Sequence, residues 1–174
     1  MLFFAGHGIL DNDQTLYFVT YDANPDEPYT GLNVSSIQEL MTKRPQAQKA
    51  LLWLDICHSG AAGETTRAAS IGSDEAIKLL AQGTGVKVMT SSTGREFSLE
   101  GPDYNGGHGA FTAALLEGLG GQADKKVGDG DGYISVLELE TYVARRVPEL
   151  THGKQHPTTA FSSKFQDYPV MRGQ

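Results

Sequence analysis

The stretch ALLWLDICHSG at residues 50–60 decides the fold of this chain. Its first seven residues are apolar except for Asp55, and the run ends at a cysteine, Cys57. An apolar run of this kind is typical of a strand that is covered on both faces, as in a parallel sheet with helices on each side. The sequence therefore predicts a buried strand over 50–56 that carries a cysteine at its carboxyl end.

On both sides of this run, strand-like and helix-like segments alternate. Runs of apolar, aromatic or β-branched residues predict further strands at 2–5, 15–21, 86–90 and 158–161. Capping residues and apolar positions at three- and four-residue steps predict helices after Ser36, after Ser73, over 111–119 with a stop at Gly120-Gly121, and over 135–150. This alternation predicts an α/β layer fold with a mostly parallel sheet.

The composition is that of an ordinary globular protein. The 174 residues suit one domain, 39% of them are hydrophobic, and the net charge is −7. An acidic chain is a poor partner for nucleic acid or for an anionic membrane. A single cysteine excludes an internal disulfide, and the apolar opening over residues 1–5 is too short for a signal core or a membrane span. We therefore expect a cytoplasmic protein, and its oligomeric state stays open.

A histidine and a cysteine each follow a strand-like run. His7 lies in Gly6-His7-Gly8 after the first run, and Cys57 follows the stretch 50–56. A thiol activated by a nearby imidazole is the basis of cysteine catalysis, and glycines beside the reacting residues let the main chain approach closely. The histidine stands 50 residues upstream of the cysteine, the spacing of caspases. The alternative is that Cys57 is a buried core residue.

The stretches FFAGHGI at 3–9 and LWLDICHSG at 52–60 resemble the His-Gly and Asp-x-Cys-x-Ser-Gly signatures of the caspase-like cysteine peptidases. They lie closest to metacaspases and their bacterial relatives. Residues 91–98, 109–116, 129–132 and 155–157 also look like bacterial members, so the resemblance covers nearly the whole chain. It implies a three-layer sandwich and protein or peptide substrates.

The resemblance also implies a role for each site residue. Cys57 would attack the scissile carbonyl and form an acyl-enzyme, and His7 would protonate the leaving amine and then activate water. The backbone N–H groups of Gly8 and Cys57 would form the oxyanion hole. Such domains normally have two strands and two helices before the histidine strand. We therefore expect 1–174 to be a caspase-like domain that is partial at its N terminus, with its first strand as an exposed apolar edge.

Asp55 and the loop after Cys57 bear on specificity. Residues i and i+2 of a strand share a face, so the carboxylate of Asp55 can point toward the same cleft as Cys57. In metacaspases a matching aspartate selects Arg or Lys before the cut, which a buried carboxylate would do by charge pairing. The alternative is that Asp55 caps local backbone groups. Arg67 is the one basic residue of the mobile-looking segment 60–72, which makes it a candidate for self-cleavage.

Calcium is an open question in the sequence. Asp129, Asp131 and Glu138 match positions 3, 5 and 12 of an EF-hand loop, but position 1 would be Val127, which has no ligand atom in its side chain. The same letters also form a capping box from Ser135 to Glu138. Metacaspases often need calcium at an acidic loop elsewhere, and here Asp22, Asp26 and Glu27 are the candidates. His108, His152 and His156 lack the spacing of a zinc site.

Three functions are therefore compatible with the sequence. The first is an endopeptidase acting after Arg or Lys, which the His7–Cys57 pair favours. The second is a non-catalytic caspase-fold scaffold or regulatory module that forms part of a larger protein. The third is a small calcium-responsive binding domain, against which the missing first ligand argues.

Overall fold

The fold is seen in a computed structural model, which describes residues 1–13, 15–24, 26–43, 49–58, 77–81, 86–93, 96–161 and 165–173, with 42, 57 and 58 described through their backbone. The strands are β1 (Leu2–Leu10), β2 (Leu16–Phe18), β3 (Leu32–Asn33), β4 (Ala50–His58), β5 (Val86–Thr90), β6 (Tyr133–Ser135), β7 (Thr158–Phe161) and β8 (Pro169–Arg172). The helices are α1 (Val34–Lys43), α2 (described over 77–80), α3 (Ala110–Glu117), α4 (Ala123–Val127) and α5 (Val136–Leu150). A 3-10 turn covers Pro28–Thr30, and a π-helical turn, Gly118–Gln122, joins α3 to α4.

Six strands form one sheet in the order β3-β2-β1-β4-β5-β7. β1, β4 and β5 are parallel neighbours, whereas β2 runs antiparallel to β1, β3 antiparallel to β2, and β7 antiparallel to β5. Four of the six strands therefore point the same way, and β2 and β7 point the other way. The predicted mostly parallel sheet is confirmed, with its antiparallel pairs toward the two edges.

The central strand β4 is buried on both faces, as its composition predicts. Leu52 and Leu54 are buried in one cluster with apolar residues of α1 and α2. Leu51 and Trp53 belong to a second cluster with residues of α3 and α5. Because neighbouring residues of a strand point to opposite faces, β4 joins a helical layer to each side of the sheet. The result is the predicted α/β sandwich of three layers.

The first strand is longer than predicted, but its first half is the exposed edge that was predicted. Among the described strands, β2 pairs only with residues 8–10 of β1, and Leu2 and Phe3 are exposed, so the prediction of an exposed apolar edge is confirmed for residues 2–5. β1 does not end at Ala5 but continues through Gly6-His7-Gly8 to Leu10. The reason is that β4 offers a parallel partner for every residue from Leu2 to Gly8, which keeps the glycines extended. Gly6 has a φ of 150°, a value that side-chain-bearing residues rarely adopt.

One helix boundary was predicted wrongly. α1 begins at Val34, before Ser36, because the side chain of Asn33 accepts a hydrogen bond from the Ser35 N–H at 2.7 Å and caps the helix there. The predicted stop at Gly120-Gly121 is confirmed. Gly121 has a φ of 103°, outside the helical range, and it separates the helical stretch that begins with α3 from α4. The predicted cap at Ser73 lies outside the described residues.

The predicted helix over 135–150 is confirmed as α5. Ser135 accepts a hydrogen bond from the Glu138 N–H at 3.2 Å, and Glu138 accepts one from the Ser135 N–H at 2.8 Å, which completes the capping box. Arg146 of α5 donates to Glu117 of α3 at 2.7 Å, and this hydrogen bond lowers the pKa of the Glu117 carboxyl below its usual value. These contacts fix α5 against α3 on one face of the sheet. Within the described part of the chain, no helix is long and apolar enough to cross a membrane.

Candidate active site

The register of the sheet brings the predicted histidine and cysteine together. β1 and β4 are parallel neighbours, and His7 is the direct partner of Cys57. Neighbouring strands lie about 4.8 Å apart, so the two main chains are adjacent at this point. Cys57 is the last residue but one of β4, and the site therefore lies at the carboxyl ends of the parallel strands, where α/β proteins place their ligands.

A cleft of about 290 Å³ opens beside His7. His7 is exposed at its rim. The described residues that line the cleft include two acids, Asp55 and Glu100, and two histidines, His7 and His108, but no lysine or arginine. The remaining described lining consists of Phe3, Ala5, Gly6, Ser98, Leu99, Gly107, Gly109 and Thr112. The cleft thus has an acidic character that suits a cationic group.

Asp55 occupies the buried part of this cleft. Its side chain is 8% exposed and accepts hydrogen bonds from the hydroxyls of Ser98, at 2.9 Å, and Thr112. A Cβ at position 109 would clash with the Asp55 carboxylate, so a glycine is needed there. Both of these hydrogen-bond donors are side chains far from Asp55 in sequence. The described contacts therefore differ from the local backbone capping that was the alternative for this residue.

A buried glutamine fixes the wall behind Asp55. Gln155 is fully buried, accepts a hydrogen bond from the Leu99 N–H at 2.8 Å, and donates to the Ser91 carbonyl at 2.8 Å. Its amide also lies 3.4 Å from the Ser98 hydroxyl, which bonds Asp55 in turn. The segment 96–99 is thereby attached to the sheet, and the Asp55 carboxylate has a fixed orientation.

The sequence interpretation assigned no role to Ser98, Thr112 or Gln155. A signal for them did exist, since all three lie in the stretches 91–98, 109–116 and 155–157 that carry the family resemblance. Their contact with Asp55 depends on the way α3 and the segment after α5 pack on the sheet. No periodicity in the sequence reports that packing.

Gly8 is a glycine for reasons of packing. A Cβ at this position would lie 3.0 Å from Leu16 Cδ1 and 3.1 Å from Ile56 Cγ2, which is closer than most real contacts. Gly8 stands in register with Phe18 on one side and with His58 on the other. Gly8 is therefore packed tightly between β2 and β4, and its main chain lies next to that of Cys57 at the carboxyl end of β4.

The remaining predicted site residues lie away from this cleft. Asp129 and Asp131 lie in the loop before β6, where they converge with Asp124, and Glu138 is close to them at the start of α5. Asp22 is exposed, and a hydrogen bond from the Thr20 hydroxyl lowers the pKa of its carboxyl. Among the described residues, Asp22, Asp26 and Glu27 form no group of converging carboxylates. Arg67 lies outside the described residues.

The comparisons with known proteins bear on the whole chain. A search of curated proteins finds no match. The family model for the caspase domain matches residues 1–168, which is nearly all of the 174-residue chain. The six-stranded sheet with helices on both faces agrees with that match. The chain therefore belongs to the caspase domain family of cysteine peptidases.

Proposed function

We propose that this chain is a metacaspase-like cysteine endopeptidase that cleaves peptide bonds after Arg or Lys. Cys57 is the nucleophile in this proposal, His7 is the acid–base partner, and Asp55 binds the basic side chain before the cut. One observation carries the proposal: the buried Asp55 carboxylate lies in the cleft beside His7, and the described lining of that cleft contains no lysine or arginine.

The proposed reaction has two stages, both centred on Cys57. An imidazole within reach of a thiol stabilises the thiolate, which is the reactive form. The Cys57 sulfur attacks the scissile carbonyl, and His7 gives a proton to the leaving amine as the C–N bond breaks. Water then attacks the thioester while His7 takes its proton, which releases the acid product and restores the thiol. The adjacent positions of His7 and Cys57 in the sheet support this assignment.

The oxyanion would be stabilised by main-chain donors in this proposal. The N–H groups of Gly8 and Cys57 are the groups we propose, because β1 and β4 bring these two residues to the same corner of the sheet. Backbone donors aimed at a developing oxyanion are among the largest contributions to acyl-transfer catalysis, each worth roughly 100- to 1000-fold in kcat. The close packing of Gly8 against Leu16 and Ile56 supports a rigid main chain at this point.

The preference for a basic side chain rests on charge. Each oxygen of a carboxylate can accept about two hydrogen bonds, and each Asp55 oxygen receives one from a described hydroxyl. Capacity therefore remains for the guanidinium of Arg or the ammonium of Lys. No described Lys, Arg or His forms an ion pair with Asp55. A buried carboxylate without a cation is costly, so a substrate cation would gain from pairing with it.

The proposal is tested with two fluorogenic peptides that differ in the residue before the cut, Arg in one and Asp in the other. The folded parent chain is expected to cleave the Arg peptide faster, and the Cys57→Ala variant is expected to cleave neither. Faster turnover of the Asp peptide would contradict the proposed specificity. Equal turnover by the parent and by Cys57→Ala would show that a contaminating peptidase is responsible.

Self-cleavage after Arg67 is a separate prediction. We expect the parent chain to be cut there during incubation, because Arg67 is the one basic residue of the segment 60–72 that follows the cysteine. Intact-mass measurement would then show two fragments for the parent and none for Cys57→Ala. Arg67→Gln is the matched control, and it should stay intact while it still cleaves the Arg peptide. Identical intact masses of the parent and Cys57→Ala after incubation would rule out the cut.

A second candidate function is a non-catalytic caspase-fold module that binds a protein partner. Leu2 and Phe3 of β1 are 46% and 45% exposed, and Phe3 lines the cleft, which favours a contact surface along this strand. The peptide experiment separates the two functions, because the module predicts a folded chain without turnover. For either function we propose that 1–174 is one caspase-like domain located in the cytoplasm, and the single cysteine supports a reducing compartment.

A further inference from the structure

Three aspartates converge in the segment that joins α4 to β6. Asp124 belongs to α4, and Asp129 and Asp131 belong to the loop that follows. One carboxylate oxygen from each of the three lies within 4.8 Å of the other two. Calcium binds oxygen at 2.3–2.6 Å, so two oxygens on one ion are at most about 5 Å apart. The three oxygens are therefore spaced as ligands of a single calcium ion.

One member of this group is buried with an unsatisfied oxygen. Asp124 is 6% exposed, and its Oδ1 has no hydrogen-bond partner within the part of the chain that the structure describes. Its other oxygen, Oδ2, accepts a hydrogen bond from the Gly132 N–H at 3.2 Å. A buried, unpartnered carboxylate oxygen is costly unless a cation or a donor meets it. The buried, unpartnered Oδ1 of Asp124 distinguishes these three aspartates from an ordinary cluster of exposed acidic residues.

We propose that Asp124, Asp129 and Asp131 form a calcium-binding site. The sequence pattern had Val127 at the first ligand position, where it offers no side-chain oxygen. Asp124 supplies the missing ligand from the preceding helix, one turn earlier. The prediction of Asp129 and Asp131 as ligands is retained in this proposal. Glu138 is outside the group of three. Its two oxygens accept hydrogen bonds from the N–H groups of Asp129 and Ser135.

The loop is already arranged to present these oxygens. Asp129 accepts a hydrogen bond from the Asp131 N–H at 3.1 Å, and Asp131 accepts one from the Tyr133 N–H at 2.8 Å. Each of these two aspartates keeps a second oxygen for a ligand. Gly130 and Gly132, with φ values of 75° and 84°, let the loop turn back toward Asp124. Binding therefore requires little reorganisation of the main chain.

Calcium suits this site better than other common ions. The ligands are all carboxylate oxygens, which hard cations prefer, and the group contains no histidine or cysteine to favour zinc. Magnesium needs near-ideal octahedral geometry at 2.0–2.1 Å and holds its waters tightly. Calcium accepts six to eight oxygens in flexible geometry, so water and main-chain carbonyls can complete its shell.

The site is far from the proposed catalytic cleft. It lies at the N-terminal end of α5, whereas Gln155, beside the cleft, follows the C-terminal end of the same helix. A 15-residue helix is about 22 Å long. Calcium binding can therefore be measured without any reference to peptidase activity, and the proposal does not depend on the proposed function.

Calorimetric titration with calcium chloride tests the proposal. The full chain carrying Cys57→Ala, which prevents self-cleavage, should bind calcium at a single saturable site. Asp124→Asn and Asp131→Asn should each weaken the binding about tenfold or more, since each removes a charged ligand. Asp103→Asn, at an exposed aspartate elsewhere in the chain, is the matched control and should bind like its parent.

Thermal unfolding provides the second readout. Calcium should raise the Tm of the parent and of Asp103→Asn, and it should raise the Tm of Asp124→Asn and Asp131→Asn much less. Asp131 is exposed, so its variant keeps the test decisive if the buried Asp124→Asn fails to fold. The proposal is overturned if the folded parent takes up no calcium at millimolar concentration. It is equally overturned if Asp131→Asn binds as tightly as the parent, or if magnesium binds as tightly as calcium.

Discussion

Replacing Cys57 with Ala is expected to abolish peptide cleavage, and replacing His7 with Ala is expected to lower kcat about 1000-fold. The first change removes the only thiol of the chain. The second removes the group that carries protons to the leaving amine and from water, a contribution of roughly 100- to 10,000-fold. The measurement is kcat on the Arg peptide for each purified variant. A kcat for His7→Ala within about threefold of the parent would exclude His7 as the acid–base group.

His152→Asn is the matched control for His7→Ala. His152 is exposed, lies beyond α5, and has a φ of 52°, which Asn tolerates better than most residues. We expect its kcat to equal that of the parent. The circular dichroism of His7→Ala should also match the parent, because the exposed His7 imidazole has no hydrogen bond among the described contacts on which folding would depend.

Asp55→Asn is expected to remove the preference for basic side chains. Losing one partner of a buried charge pair costs about 2–5 kcal/mol, and each 1.4 kcal/mol is a factor of ten. We therefore expect kcat/KM for the Arg peptide to fall about 30-fold or more. Asn has nearly the shape of Asp and can still hydrogen-bond the hydroxyls of Ser98 and Thr112, so the cleft should keep its geometry.

Two comparisons make the Asp55 result interpretable. Asp103→Asn changes the net charge equally at an exposed position and should leave kcat/KM unchanged. Denaturant unfolding of Asp55→Asn should give a midpoint close to that of the parent. If Asp55→Asn cleaves the Arg peptide with the parental kcat/KM, the carboxylate does not select the substrate, and the specificity has another origin.

The elements whose signal lies within their own residues were predicted well. β4 is an apolar run that needs cover on both faces, and α5 has its apolar positions at helical spacing behind a complete capping box. Their packing follows from burying those side chains. β5 and β7 were likewise predicted within their observed bounds, because each is a short run bounded by Gly or Pro before it and by Ser after it.

The elements that depend on a distant partner were not predicted. β8 begins with Pro169 and has no alternating pattern, and it exists because it pairs with β6 from elsewhere in the chain. The continuation of β1 through His7 depends on its parallel register with β4. Both features follow from tertiary hydrogen bonding, which local propensity does not report.

The candidate sites show the same division. The sequence interpretation named His7, Cys57 and Asp55, because motif, spacing and strand periodicity all apply to them. It did not name Asp124, whose surroundings in the sequence, ADKKV, are those of a polar surface helix. Burial of Asp124 and its approach to Asp129 and Asp131 arise when α4 packs against β6 and α5. Only the folded chain shows that the Asp124 carboxylate lies close enough to Asp129 and Asp131 to provide the ligand atom that the Val127 side chain lacks.

The most direct test of the central claim is to label the folded chain with a thiol-reactive peptide inhibitor that ends in Arg, beside a matched inhibitor that ends in Asp. Peptide mapping by mass spectrometry then locates the adduct, and the rate of its formation is compared between parent, His7→Ala and Asp55→Asn. We predict fast labelling of Cys57 by the Arg reagent in the parent, slow labelling by the Asp reagent, and slow labelling of both variants by the Arg reagent. Equal rates for the two reagents, or equal rates in parent and Asp55→Asn, would contradict a cysteine peptidase in which Asp55 selects a basic residue for attack by Cys57.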